Sequence, residues 1–230
     1  MAFDIKSVDE DVSQMFKWSM DIMFTTSKIW IYPVIVALIN GLITVGMSWY
    51  IYSIGFAFAF IFPLLSMLNF LIGIALTIII FFLTLMSVKM FIQVFNGEPV
   101  DFDIAKEDVL SSAIPYLIVG ILAAILNIFI ITIPIALLII STSVIIGADD
   151  IGRVFSVSID ILTKNLVPVI VLSLIAIIFG FALNIMSAGP FFFGAVLLSP
   201  LTTFVDILIL GALTYLSLKA LESKESEESM

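Results

Sequence analysis

The feature that most restricts the fold is a long stretch without charge. From Ile29 to Val88 the chain contains no Asp, Glu, Lys or Arg, and most of its side chains are apolar. A helix that crosses the hydrocarbon core of a bilayer needs about 20 such residues, so this stretch can hold two crossing helices. Residues 109–148 and 166–205 are also uncharged. The sequence therefore predicts an all-α integral membrane protein.

Composition agrees with this class and excludes others. Hydrophobic residues make up 62% of the chain, charged residues 12%, and the mean hydropathy is +1.29. The chain has no cysteine and no histidine, which excludes thiol nucleophiles, imidazole acid–base chemistry and zinc sites built from those residues. The net charge is −9 without a basic cluster, so nucleic acid is not an expected partner. We predict no enzymatic activity, no metal site and no cofactor.

We predict six transmembrane helices arranged as three hairpins. A cytoplasmic amphipathic helix in the membrane interface precedes each hairpin, since apolar and polar residues alternate there at helical spacing. The predicted crossing helices cover 30–52, 67–90, 112–130, 132–148, 166–185 and 200–219, with the turn of the short central hairpin at 131–134. The connectors 54–66 and 187–199 are apolar, and the sequence leaves open whether they are re-entrant. The acidic tail 220–230 is predicted to be disordered.

The three hairpins read as an internal repeat within a single domain, 1–219. Residues 16–22 align with residues 155–161, and each unit has an Xaa-Pro step before its first apolar helix. The residue before a proline is disfavoured in the α conformation, so each step is interpreted as a bend into the bilayer. Chance similarity between apolar segments is the alternative. The units cover about 9–95, 100–148 and 149–219, and the bend prolines are Pro33, Pro115 and Pro168.

The basic residues predict the orientation. All nine Lys and Arg fall on one side of the six-helix arrangement, and such residues are enriched in cytoplasmic loops. We therefore predict a multi-pass protein of the plasma membrane with both termini in the cytoplasm. Every acidic residue except Asp206 lies on the same side, so that face is net negative. It is either a solvated acidic surface or a docking surface for a basic cytoplasmic partner.

Asp206 is the one acidic residue inside a predicted crossing helix. It lies thirteen residues before Lys219, about 20 Å along a helix, and shares a helix face with Ser199 and Thr203. Ser199 and Pro200 are also expected to form the N-cap and first residue of this helix. A charged residue within the bilayer suggests a functional role, here a proton or cation site. The alternative is a protonated carboxyl hydrogen-bonded to an asparagine of another helix: Asn40, Asn69, Asn127 or Asn184.

Residues 149–180, with Phe155, Ser158 and Asn165, and the later run Ser199-Pro200-Leu201-Thr202 carry a family resemblance. They resemble a family of six-span prokaryotic membrane proteins, similar to the membrane domain attached to glycerophosphoryl diester phosphodiesterases. The resemblance covers about 10–220 and implies the fold. The catalytic barrel of those enzymes has no counterpart here, so their activity is not implied.

Two functions follow as expectations. The first is a non-enzymatic membrane module that organises or assists partner proteins or lipid. The second is a small cation- or proton-coupled transporter or channel that uses Asp206. Expected partners are membrane lipid, other membrane proteins or a basic cytoplasmic protein, and a homo-oligomer is compatible with the sequence.

Overall fold

The computed structural model describes residues 5–55, 62–187 and 192–222, and within them the chain is helical without strands. The helices are α1 (Val12–Thr25), α2 (Lys28–Gly55), α3 (Phe62–Phe95), α4 (Phe102–Ser111), α5 (Ala113–Asn127), α6 (Ile133–Ile146), α7 (Ile151–Lys164), α8 (Leu166–Ser187) and α9 (Phe192–Leu221), with a 3₁₀ turn at Ile130–Thr132.

Three helices are long and apolar enough to cross a bilayer: Lys28–Ile51, Pro63–Phe95 and Val196–Leu221. The number rises to five if each of two bent helix pairs is a single crossing segment. The prediction of an all-α membrane protein is confirmed at this level. The central hairpin is shorter than the others, with 15 residues in α5 and 14 in α6. Its break falls at 128–132, slightly before the predicted turn at 131–134.

Helix α9 is the centre of the fold. It packs against α1, α2, α3, α6 and α8. The most apolar part of α9 is 44% buried, against 22% for the corresponding parts of α2 and α3. Its residues belong to two core clusters, one shared mainly with α3 and the other mainly with α7 and α8. Asp206 therefore lies on the central helix of the fold.

Helix α1 packs closely on α9. The Ser19 hydroxyl donates a hydrogen bond of 2.8 Å to the Leu208 carbonyl oxygen, and Ser19 is fully buried. A Cβ atom at Gly211 would lie 2.2 Å from Ser19 Oγ and 2.5 Å from Cζ of Phe91. Because no side chain larger than hydrogen fits there, Gly211 lets α1 and α3 approach the axis of α9.

Helix α4 begins with a side-chain cap. The Asp101 side chain accepts hydrogen bonds from the backbone amides of Asp103 and Ile104, which caps the helix. Lys89 at the end of α3 pairs with Asp108 of α4 at 2.8 Å. Helix α5 then leaves at 82° to α4. This ion pair and bend place the start of α5 beside the charged end of α3.

The charged ends of several helices meet at one end of the bundle. The backbone amide of Lys6 donates to the Ala220 carbonyl at 2.9 Å, and the Val8 amide donates to Asn165 Oδ1 at 2.7 Å. Lys164 Nζ donates to the Ile5 carbonyl. Lys219 lies over the ring of Phe95 of α3, 5.6 Å from its centroid. The N-terminal segment is thereby fixed across the ends of α7, α8 and α9.

The prolines lie just after the helix breaks. The breaks fall at 26–27, at Ser112 and at Asn165, whereas Pro33, Pro115 and Pro168 follow within the first two turns of the next helix.

The expected start of the last helix is wrong. Helix α9 begins at Phe192, so Ser199 is not its N-cap and Pro200 lies inside it. Neighbouring helices can support a proline within a membrane helix. The helix also continues to Leu221, with Ala220 buried, and the remainder of the predicted disordered tail, 223–230, lies outside the described residues. Residues 56–61 of the connector 54–66 and residues 188–191 of the connector 187–199 also lie outside the described residues.

Candidate functional site

Asp206 is exposed on α9 although its neighbours in the helix are buried. Ile207 is 1% exposed and Thr203 is 9% exposed. One and two turns toward Lys219, on the same face as Asp206, Leu210 and Leu213 are 3% and 0% exposed. The packing around α9 therefore opens at the level of the carboxylate.

The opening lies between two groups of helices. Ile209 belongs to the core cluster that contains Val169 and Leu172 of α8. Ile207 belongs to the cluster that contains Ile29 of α2. Asp206 lies between these two residues on the helix surface, on a side of α9 that is exposed at this level.

The predicted polar neighbours of Asp206 have other partners. Ser199 Oγ donates to the carbonyl of Ala37 in α2 at 3.1 Å, and Thr203 Oγ1 donates to the Ser199 carbonyl at 3.1 Å. Both hydroxyls support helix packing or the helix backbone. Across the described side chains, Asp206 has neither a hydrogen bond nor an ion pair. The carboxylate is thus available to a group from outside the chain.

Three of the four asparagines expected to bond Asp206 line cavities elsewhere. Asn40 and Asn69 line a groove of about 420 Å³ between α2 and α3, together with Thr44, Gly73 and Thr77. On α2, Asn40 and Thr44 are four residues apart, and on α3 Asn69, Gly73 and Thr77 follow the same spacing. This spacing places each set on one helix face, and it was a signal for the polar groove that the sequence analysis did not use. Asn127 lines a different cavity. The Asn184 side chain lies outside the described residues.

A second polar group is buried between α6 and α9. The Thr214 hydroxyl lies 3.4 Å from the Ser141 hydroxyl and donates to the Leu210 carbonyl at 2.7 Å. Thr142 and Ser217 are also fully buried, and their hydroxyls lack a partner among the described residues. These hydroxyls mark an imperfectly satisfied polar layer near the charged end of the bundle.

Comparison with known proteins gives no match. No protein-family model matches the chain, and neither a curated protein nor a solved structure is significantly similar to it. The functional argument therefore depends on the residues of this chain.

Proposed function

We propose that this protein is a non-enzymatic integral membrane module that docks a partner protein through the exposed Asp206 of α9. The observation that carries the proposal is a carboxylate exposed within an apolar helix, without a partner among the described residues. This exposure gives a partner helix access to the carboxylate.

The energetic argument favours an external partner. A carboxylate at the centre of a membrane helix costs about 2.5–3.5 kcal/mol on insertion scales. A hydrogen-bonding or basic group of a partner would offset that cost, because an ion pair or hydrogen bond is stronger in a low dielectric. Binding of such a partner is the simplest explanation for a carboxylate at position 206 that forms no hydrogen bond or ion pair with the described residues.

The proposed membrane arrangement has six embedded helices in three hairpins, each preceded by an amphipathic helix at the cytoplasmic face. The hairpins are α2–α3, α5–α6 and α8–α9, and the short helices are α1, α4 and α7. The arrangement is supported by the meeting of the basic ends at one end of the bundle, since basic residues are enriched in the cytoplasm. It is the arrangement that the family resemblance implies, with both termini in the cytoplasm of a plasma-membrane protein. The acidic residues of that face suit a basic cytoplasmic partner.

Transport of a proton or cation is the alternative, because an accessible intramembrane carboxylate also suits an ion pathway. What favours docking is the isolation of Asp206. The nearest charged residue along α9 is Lys219, about 20 Å away at the helical rise per residue. A relay of protons or cations usually needs further charged or polar groups at short intervals.

The test is native mass spectrometry of the protein gently extracted from its own membranes. The docking function predicts a second protein in fixed ratio with the wild type, lost in Asp206→Leu and retained in the control Thr202→Val. Asp206→Leu should fold, since Asp206 makes no hydrogen bond or ion pair with the described residues. A chain without a second protein, combined with cation or proton flux in liposomes that Asp206→Asn abolishes, would instead establish transport.

A further inference from the structure

The central hairpin α5–α6 differs from the other two in length and in the chemistry of its tip. Helix α5 has 15 residues, which corresponds to about 22 Å at 1.5 Å per residue. The hydrocarbon core of a bilayer is about 30 Å thick. From the charged end of the bundle, this hairpin is too short to reach the far interface.

The neighbouring helix α3 gives an independent measure of depth. Gly120 of α5 lies against the Phe81 ring of α3. The cavity at this contact is lined by Thr77 of α3 and by Asn127 at the end of α5, so the end of α5 lies near the middle of α3. Thr77 is twelve residues from Lys89, about 18 Å along the helix. Helix α3 continues beyond Thr77 to Phe62, about another 22 Å. The tip of the central hairpin therefore ends beside the middle of α3, well before α3 does.

The side chains of the tip suit hydrocarbon. Its four consecutive residues are apolar and largely exposed: Ile128 at 72%, Phe129 at 63%, Ile130 at 70% and Ile131 at 89%. A loop in water would expose polar residues, and a loop in the interface is often flanked by Trp, Tyr or basic residues. The segment 128–132 contains no Trp, Tyr or basic residue. Its one polar side chain, Thr132, is hydrogen-bonded within the turn.

The backbone of the tip is also partly satisfied from within. The amides of Ile128 and Phe129 donate to the carbonyls of Ile125 and Leu126, each at 3.2 Å. Thr132 donates its amide to the Phe129 carbonyl at 3.0 Å and its hydroxyl to the same oxygen at 2.9 Å. Because unpaired backbone groups are costly in hydrocarbon, this internal pairing suits a turn that does not reach water.

From these observations we infer that α5–α6 is a re-entrant hairpin whose tip, 128–131, ends among the acyl chains of the far leaflet. The hairpin enters and leaves the membrane at the charged end of the bundle. Lipid acyl chains therefore surround the tip, and the far leaflet separates it from the water on that side of the membrane. The remaining hairpins, α2–α3 and α8–α9, then provide the crossing helices.

Cysteine accessibility tests the inference without background, because the chain has no native cysteine. The probe is a membrane-impermeant maleimide, applied separately to each face of sealed vesicles that contain Ile131→Cys. Ser53→Cys, exposed near the far end of α2, and Glu98→Cys, exposed at the charged end, are the controls for the two faces. A thiol in apolar surroundings is poorly ionised and reacts slowly.

We expect Ile131→Cys to remain unlabelled when the probe is applied to either face, while each control is labelled from one face. Full labelling of Ile131→Cys after denaturation in dodecyl sulfate confirms that the thiol is intact. Since Ile131 is 89% exposed, protection cannot come from burial in the protein. Labelling of Ile131→Cys from either face at the rate of a control would overturn the inference. Phe129→Cys provides a second tip position if Ile131→Cys is poorly produced.

Discussion

Replacement of Gly211 by alanine tests whether α1 packs on α9 as the fold requires. The new Cβ would lie 2.2 Å from Ser19 Oγ and 2.5 Å from Cζ of Phe91, well inside van der Waals contact. Overpacking of this kind typically costs about 1–3 kcal/mol. Displacement of Ser19 would also weaken its bond to Leu208, worth about 0.5–1.5 kcal/mol. Alanine returns about 1 kcal/mol through its higher helix propensity, so we expect a net loss of about 2 kcal/mol.

The matched control is Gly46→Ala in α2, where nothing lies within 4 Å of the added Cβ. It should be neutral or stabilising by up to about 1 kcal/mol. The free energy of unfolding can be measured by titration of the detergent-solubilised protein with dodecyl sulfate, followed by circular dichroism.

A second comparison identifies the contact responsible. The cost of Gly211→Ala should be smaller in a Ser19→Ala background, because the clash with the hydroxyl is then gone. Equal stability of Gly211→Ala and Gly46→Ala would refute close packing of α1 on α9. A cost that is the same with and without Ser19→Ala would refute the role of Ser19 in it.

Three further predictions concern stability. Thr142→Val removes a buried hydroxyl without a described partner, so it should leave the unfolding free energy unchanged or raise it by about 1 kcal/mol; a loss of stability would show that the hydroxyl has a partner. Asn165→Ala removes the acceptor of the Val8 amide and should increase hydrogen exchange at that amide, whereas unchanged exchange would contradict the fixed N-terminal segment. Gly120→Ala would bring its Cβ to 2.9 Å from the ring of Phe81, against 2.2 Å from Ser19 Oγ at Gly211, and Phe81 is only partly buried, so its cost in the same titration should be smaller than that of Gly211→Ala.

The positions of the helices could largely be predicted from the sequence because hydrophobic stretches and helix signals are local. Helix α7, for example, extends over Ile151–Lys164, where a short helix is predicted between the start of the third unit at 149 and the crossing helix at 166. The start of α9 could not be predicted this way. Ser199-Pro200 has the composition of a helix start, but helix packing around α9 allows Pro200 to lie inside it.

The candidate site was predictable in part. The lone charge at Asp206 was evident from the sequence, but its exposure depends on how α2 and α8 pack on α9. The α2–α3 groove with Asn40 and Asn69 depends on the register between two helices. The depth of the α5–α6 hairpin likewise depends on how α5 packs along α3, where Gly120 lies against Phe81. Such long-range registers are not encoded in any single stretch of sequence.

The measurement that most directly tests partner docking is photo-crosslinking in native membranes from a photoreactive amino acid at position 202, one turn from Asp206. Position 174, exposed on α8, is the control for general lipid exposure. The proposed function predicts a crosslink to one specific protein from position 202, its loss in Asp206→Leu and its absence from position 174. Crosslinks to lipid alone from position 202, or a protein crosslink unchanged by Asp206→Leu, would contradict docking at this carboxylate.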